Sequence, residues 1–361
     1  MNHDKEYNPC GCDGFAFLEF SAPDATFLKK QFDQMGFYLT ATHLTEDISL
    51  YQQGGIQFIV NGASKTQAAE HAAVHGAGAC AMGFRVKNAQ RAYQHALNHG
   101  AQPFEDCEHA HHGLLGIQAI GGSVIYFVDE SDQPFAHHWK ARPKLPLSHE
   151  GAGLTYIDHL THNVYRGNMD KWAEFYASIF NFHEIRFFNI KGQMTGLISR
   201  ALSSPCGKIK IPLNESKDDI SQIEEFLRDY HGEGIQHIAL GTDNIYQTVH
   251  GLREQGVRFL EVPDTYYEMI EARIPWHKEP LAKLNEERIL IDGEITPKAG
   301  LLLQIFTENL FGPVFFEIIQ RRGNEGFGEG NFQALFEAIE RDQLKRGVLA
   351  KTESSSLPEG L

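Results

Sequence analysis

Apolar and polar positions follow the same order twice along this chain. Residues 78–104 and 234–260 each open with an apolar run suited to a strand. Each then passes through a polar turn containing Asn (Asn88, Asn244) and continues with helix-period spacing. Gly closes both helical stretches (Gly100, Gly256), a natural C-terminal stop. Asn88 registers on Asn244, and Gly100 on Gly256, at one offset of 156. Downstream, GSVIYF (122–127) lines up with GPVFFE (312–317) at an offset of 190. The second copy therefore carries 34 more residues between these landmarks (190 − 156), assigned to an elaborated loop region around 261–300. Upstream, 15–37 and 157–182 both read as strand, turn and helix; the second is longer, which leaves their register open. Strand, helix and further strands, used twice in each half, predict an α+β fold with curled mixed sheets. The boundaries expected are an N-terminal domain over 1–145, a C-terminal domain over 154–350 and a solvated tail over 351–361. The segment 136–153, with Pro143 and Pro146, is the expected linker.

Composition narrows the possible partners. A chain of 361 residues with 42% apolar positions is long enough for two packed cores. A formal net charge of −15 argues against nucleic acid and anionic membrane as partners, because both need a positive surface. No apolar run is long enough to span a bilayer, and the first residues are polar, so a cytoplasmic address is expected. The cysteines (Cys10, Cys12, Cys80, Cys107, Cys206) are odd in number and scattered, which fits reduced thiols. Cys10-Gly11-Cys12 is expected to lie in a mobile terminus without function. Nineteen histidines are the first hint of metal chemistry.

Glu317 carries the most information. It sits in Val314-Phe315-Phe316-Glu317-Ile318-Ile319, a strand-like run apolar on both faces. Alternation puts it on the face of Phe315 and Ile319, where an ionised carboxylate is costly unless a cation or donors compensate it. His237 lies on a similar apolar strand, Gly234–Leu240. His159 and His162 are three apart in DHLTH, so on a straight strand they face opposite ways and cannot both serve one metal. The repeat adds a contrast. At the offsets above His237 corresponds to Ala81 and Glu317 to Phe127, and the strand FAFLEF offers no His opposite His159. Polar residues kept in one copy only suggest function rather than framework. Two imidazoles with one carboxylate form the facial triad of non-haem iron(II) oxygenases. The cluster Glu105–His112 also has metal-ligating composition, and a solvated loop is expected there.

Several longer stretches then become specific: IDHLTHNVYRGNM (157–169), KIPLNE (210–215), GIQHIALGT (234–242), PDTYYEM (263–269), LLLQIFTENLFGPVFFEIIQRRG (301–323) and GFGEGNFQALFEAIERDQ (326–343). Together they resemble the 4-hydroxyphenylpyruvate dioxygenase family of the vicinal-oxygen-chelate superfamily, densely in the C-terminal half and more loosely in the N-terminal half. The resemblance implies two tandem domains of paired βαβββ modules, with the metal in the second only. It implies one iron(II) per chain held by His159, His237 and Glu317, taking the first histidine of DHLTH. It further implies catalytic roles for Gln236, Asn214 and Ser199, and substrate contacts for Gln222, Gln304, Phe306, Phe327 and Phe332. The implied substrates are 4-hydroxyphenylpyruvate and O2, and the products homogentisate and CO2, in tyrosine catabolism. A homo-oligomer, dimer or tetramer, is implied too. Glycines 326, 328 and 330 suggest a hinge, so the helix after them is expected to close as a lid. The nearest alternative is hydroxymandelate synthase, against which IPLNE and the C-terminal GNF favour the dioxygenase. An extradiol catechol dioxygenase and a metal-free binding protein of the superfamily are more distant alternatives.

Overall fold

The structure, a computed structural model, describes residues 6–104, 113–129, 138–142, 151–191 and 196–335. The first half holds β1 (Cys12–Ser21), α1 (Ala25–Gln34), β2 (Tyr38–His43), β3 (Ile48–Gln53), β4 (Ile56–Asn61) and α2 (Gln67–His75). It continues with β5 (Gly78–Val86), α3 (Ala89–Asn98), β6 (Pro103–Phe104), β7 (Leu115–Gln118), β8 (Val124–Val128) and β9 (Trp139–Ala141). The second half holds β10 (Leu154–Val164), α4 (Met169–Phe180), β11 (His183–Lys191), β12 (Gly196–Ser203), β13 (Lys210–Ser216) and α5 (Gln222–Asp229). After these come β14 (Gly234–Thr242), α6 (Ile245–Glu254), α7 (Asp264–Tyr267), α8 (Ile270–Arg273), α9 (Leu281–Glu286), β15 (Leu290–Gly293), β16 (Leu301–Phe306) and β17 (Phe315–Arg322).

The repeated Asn and Gly do what their chemistry suggests. Asn88 and Asn244 are N-caps whose side chains accept from the backbone N–H of Arg91 (2.7 Å) and Gln247 (3.3 Å). Such a cap stabilises a helix by about 1 kcal/mol. Gly100 and Gly256 follow the helix ends at φ +90° and +89°, where a side chain would be strained.

Contacts divide the chain into two compact units: residues up to Phe259 with Ile305–Gln320, and Leu260–Gln304 with residues from Arg321 onward. In the first unit one sheet runs β6-β7-β8-β5-β1-β4-β3-β2-β9 and another runs β11-β12-β13-β10-β14-β17. In the second unit β15 and β16 pair antiparallel, with Leu290 opposite Gln304. The stretch around 261–300, expected as loop, instead contains α7, α8, α9 and β15. Helices of four to six residues are too short to leave a periodic signal in the sequence. The expected linker likewise holds β9, which pairs with β2.

The register of the two sheets repeats residue for residue. Phe15, Phe17 and Glu19 lie opposite Phe84, Gly83 and Ala81; Ile157, His159 and Thr161 lie opposite Leu240, Ala239 and His237. The upstream offset is therefore 142 (159 − 17). Each copy carries an extra residue at the same two bulges: Ala16 and Cys80 in the first sheet, Asp158 and Gln236 in the second. The parallel neighbour corrects one correspondence. Gly83 faces Tyr126, and Ala239 faces Glu317, so the counterpart of Glu317 is Tyr126 rather than Phe127. Apolar matching cannot detect a one-residue slip between two aromatics, although that slip reverses the face. In the first sheet the three counterparts of the candidate ligands are Phe17, Ala81 and Tyr126, all buried in one apolar cluster.

The two sheets meet through aromatic packing within the first unit. Phe316 lies 6.1 Å from Phe58 and 6.5 Å from Phe32, and Phe311 lies 5.7 Å from Phe20. Fully burying a phenyl ring stabilises by about 1.5–3 kcal/mol, so this bed is a large contribution. Cys10 and Cys12, expected in a mobile terminus, are buried, with Cys12 the first residue of β1; Asn8 brackets Cys12 through both its backbone N–H and C=O, each at 2.9 Å.

Candidate metal centre

His159, His237 and Glu317 stand on β10, β14 and β17, which are neighbours in one sheet. Register sets His159, Ala239 and Glu317 in one cross-strand row, and Thr161, His237 and Phe315 in the next. Ala239 is small, so the flanking imidazole and carboxylate converge over it. The intervening residues look the other way. His162 Nε2 meets the Tyr176 hydroxyl of α4 at 2.8 Å, and burial pushes its pKa down to about 3. The second histidine of DHLTH therefore faces α4.

The three ligand atoms lie within 4.8 Å of one another. His159 Nε2 is 3.3 Å and His237 Nε2 3.7 Å from Glu317 Oε2. Side-chain exposure is 2% for both His159 and Glu317 and 13% for His237, so the group is nearly dry, with His237 the most exposed of the three. Glu317 Oε1 is buried with no hydrogen-bond partner. Burial is the largest influence on His159, but the charge and hydrogen bond of Glu317, with Asp158, outweigh it and hold its pKa above the ordinary value. Burial, reinforced by the charges of His159 and His162, pushes His237 well below it. A buried carboxylate oxygen without a partner and two converging imidazoles suit a divalent cation, and two N and one O donor leave a face open for further ligands.

The other expected residues fall in four groups. Gln236 sits beside His237 with its Oε1 3.3 Å from Nδ1. Phe306 meets the His237 ring edge-on at 6.3 Å. Ser199 and Asn214 are opposite one another on β12 and β13, and Asn214 is opposite Asn163 on β10. Their chain neighbours Arg200 and Glu215 turn to α4, bonding Asp170 and the Met169 N–H. Alternation therefore places Ser199 and Asn214 on the triad's face. Gln222, the first residue of α5, is exposed. In the second unit, Gln304 Oε1 accepts from Asn331 Nδ2 at 3.3 Å, Phe327 lies under Arg321, and Phe332 is 50% exposed. Residues 329–335 are helical, and the rest of the expected lid helix lies outside the described residues, as does the cluster 105–112.

Sequence reasoning missed Asp158, whose carboxylate accepts from His159 Nδ1 at 2.8 Å, and Phe315, which stacks on His237 at 4.9 Å. It also missed Phe188, opposite Ser199 on β11 and so on the same face. The available signal for Asp158 was its place immediately before a candidate ligand.

Residues 7–136 match the family described as hydroxyphenylpyruvate dioxygenase, HPPD, N-terminal, and residues 156–271 match the glyoxalase/bleomycin resistance protein/dioxygenase superfamily. A 4-hydroxyphenylpyruvate dioxygenase from Legionella pneumophila (strain Corby) is 73% identical over 95% of this chain and 98% of its own length. One from Pseudomonas aeruginosa is 52% identical over 96% and 98%. A solved structure of a mutant 4-hydroxymandelate synthase from Streptomyces coelicolor aligns with a TM-score of 0.77 at 25% identity, over 92% of this chain and 99% of that one.

Proposed function

The chain belongs to the 4-hydroxyphenylpyruvate dioxygenase family, and from that premise we propose that it converts 4-hydroxyphenylpyruvate and O2 to homogentisate and CO2, using one iron(II) held by His159, His237 and Glu317. Its curled mixed sheets are those of the vicinal-oxygen-chelate fold. The observation that carries the metal reading is the set of three ligand atoms within 4.8 Å, with one Glu317 oxygen buried and unpaired. Bound there, iron(II) supplies the redox chemistry and Lewis acidity that an α-keto acid and O2 require.

The balance is complete without another reductant. The keto acid loses its carboxyl carbon as CO2; one oxygen atom enters the new carboxylate and the other the ring. The protein's share is positioning and exclusion of water. Phe306 and Phe315, both packed on the His237 ring, are proposed as apolar walls for an aromatic substrate, while Ser199 and Asn214 supply neutral hydrogen-bonding groups on the ligand-bearing face. Gln236 is proposed to act beside His237. Gln222, Gln304, Phe327 and Phe332 are proposed substrate contacts on the strength of the family, with the C-terminal helix as lid. No helix among the described residues is long and apolar enough to cross a membrane; a cytoplasmic homo-oligomer, dimer or tetramer, is proposed.

The identity of 73% to a named dioxygenase, against 25% to a mandelate-forming structure, favours ring hydroxylation. The test is mass-spectrometric product analysis after anaerobic loading with iron(II) and exposure to 4-hydroxyphenylpyruvate and O2. Homogentisate is expected; 4-hydroxymandelate, or no product from protein that has bound iron, would overturn the reading.

A further inference from the structure

We propose that Asp158 and Gln236 are paired positioning residues, each set by a β-bulge directly before a metal-binding histidine and each holding that imidazole's Nδ1 so that Nε2 turns to the centre. The inference rests on the metal reading above. In a regular strand, neighbouring side chains leave opposite faces, so residue 158 could not bond to the ring of residue 159. A bulge sets two consecutive residues against one partner and brings both side chains to one side. Between Ile157 and His159 the extra residue is Asp158; between Thr161 and His162 the opposing strand supplies the extra residue Gln236. The contacts follow: Asp158 Oδ1 to His159 Nδ1 at 2.8 Å, and Gln236 Oε1 to His237 Nδ1 at 3.3 Å.

A carboxylate oxygen only accepts, so Nδ1 of His159 carries a proton, which leaves Nε2, 3.3 Å from Glu317 Oε2, as the nitrogen that would bind a metal. The amide oxygen of Gln236 acts likewise on His237. The first sheet serves as an internal control. It keeps both bulges, but Ala16 and Cys80 occupy them, and Phe17 and Ala81 follow where the histidines would be. The bulges thus belong to the framework shared by both copies. Oxygen-bearing side chains fill them only where an imidazole comes next. Asp158 also brings a negative charge that Gln236 lacks, which makes His159 the stronger donor of the pair.

The test is anaerobic titration of the metal-free full chain with Co(II), read by calorimetry and by the visible ligand-field spectrum. Asp158→Ala should bind roughly 10–100-fold more weakly than wild type, with a shifted spectrum. Gln236→Leu should weaken binding less. Asp158→Asn keeps an acceptor of the same reach and should recover most of the affinity; near-UV circular dichroism checks that each variant is folded. Wild-type affinity and spectrum in folded Asp158→Ala would overturn the proposal, as would an Asp158→Asn no better than Asp158→Ala. A wild-type chain that binds no Co(II) would overturn the metal reading itself and this inference with it.

Discussion

Replacing His162 by Ala separates the two histidines of DHLTH by what each one holds. His162 is fully buried, bonds the Tyr176 hydroxyl at 2.8 Å, and leaves its Nδ1 unpaired. Truncation strands the Tyr176 hydroxyl, about 1–3 kcal/mol. It also opens a cavity, for which Phe→Ala losses of about 3–5 kcal/mol set the upper scale. Removing the unpaired Nδ1 returns about 1–3 kcal/mol. The balance is a destabilisation of roughly 2–4 kcal/mol, carried by packing against α4. The metal site should be spared, because the ring points away from His159, His237 and Glu317. Urea unfolding of the metal-free protein and anaerobic metal titration measure the two effects separately. A double-mutant cycle with Tyr176→Phe should give a coupling of about 1 kcal/mol. His159→Ala should do the reverse: lose the metal with a smaller change in metal-free stability. A His162→Ala protein of unchanged stability that fails to bind metal would refute the assignment of faces.

The same burial makes stability pH-dependent. His71 and His162 are both pushed to about 3, chiefly by burial, so they stay neutral when folded but protonate near 6.5 when unfolded. Stability should therefore fall as pH drops from about 6.5 toward 3, by up to ~1.4 kcal/mol per pH unit for each; urea midpoints of metal-free protein at several pH values measure it, and His71→Gln should flatten the slope. Gly328 has φ +79°, and a Cβ there would lie 1.9 Å from Gln304 Oε1. Gly328→Ala should cost roughly 2–5 kcal/mol and raise KM if Gln304 contacts the substrate; an unchanged melting temperature would contradict the strain. Cys10, Cys12 and Cys80 are buried, with the Cys12 thiol held up by its bond to Cys10 and then by burial, and the Cys80 thiol by burial. Of the described thiols, Cys206 should react first with Ellman's reagent and the other three only on unfolding.

What could be read from the chain depended on whether the signal was local. The Asn-to-Gly helices repeat because capping and termination are set by single residues. Glu317 was conspicuous because a charge in VFFEII violates the apolar pattern on both faces. The bulges at Asp158 and Gln236 leave no such mark: an extra residue is defined by what lies across the sheet, which period-2 reading does not contain. For the same reason Tyr126 could not be told from Phe127 as the counterpart of Glu317. The helices between 264 and 286 escaped because one turn of helix is shorter than the period needed to recognise it.

Strand β17 offers Glu317 on one face and Phe316 on the other, and Phe316 rests on aromatic rings contributed by the first half of the chain. That arrangement imposes an order on biosynthesis. His159 and His237 leave the ribosome well before the carboxylate that completes their set, and neither can close a three-ligand site alone. By the time Glu317 emerges, Phe20, Phe32 and Phe58 are already available to receive the strand that carries it. The half without ligands thus works as a mould. If the proposed triad binds the metal, its place is unfinished until that strand has docked, so metal capture would be a late event of maturation rather than a nucleus for folding.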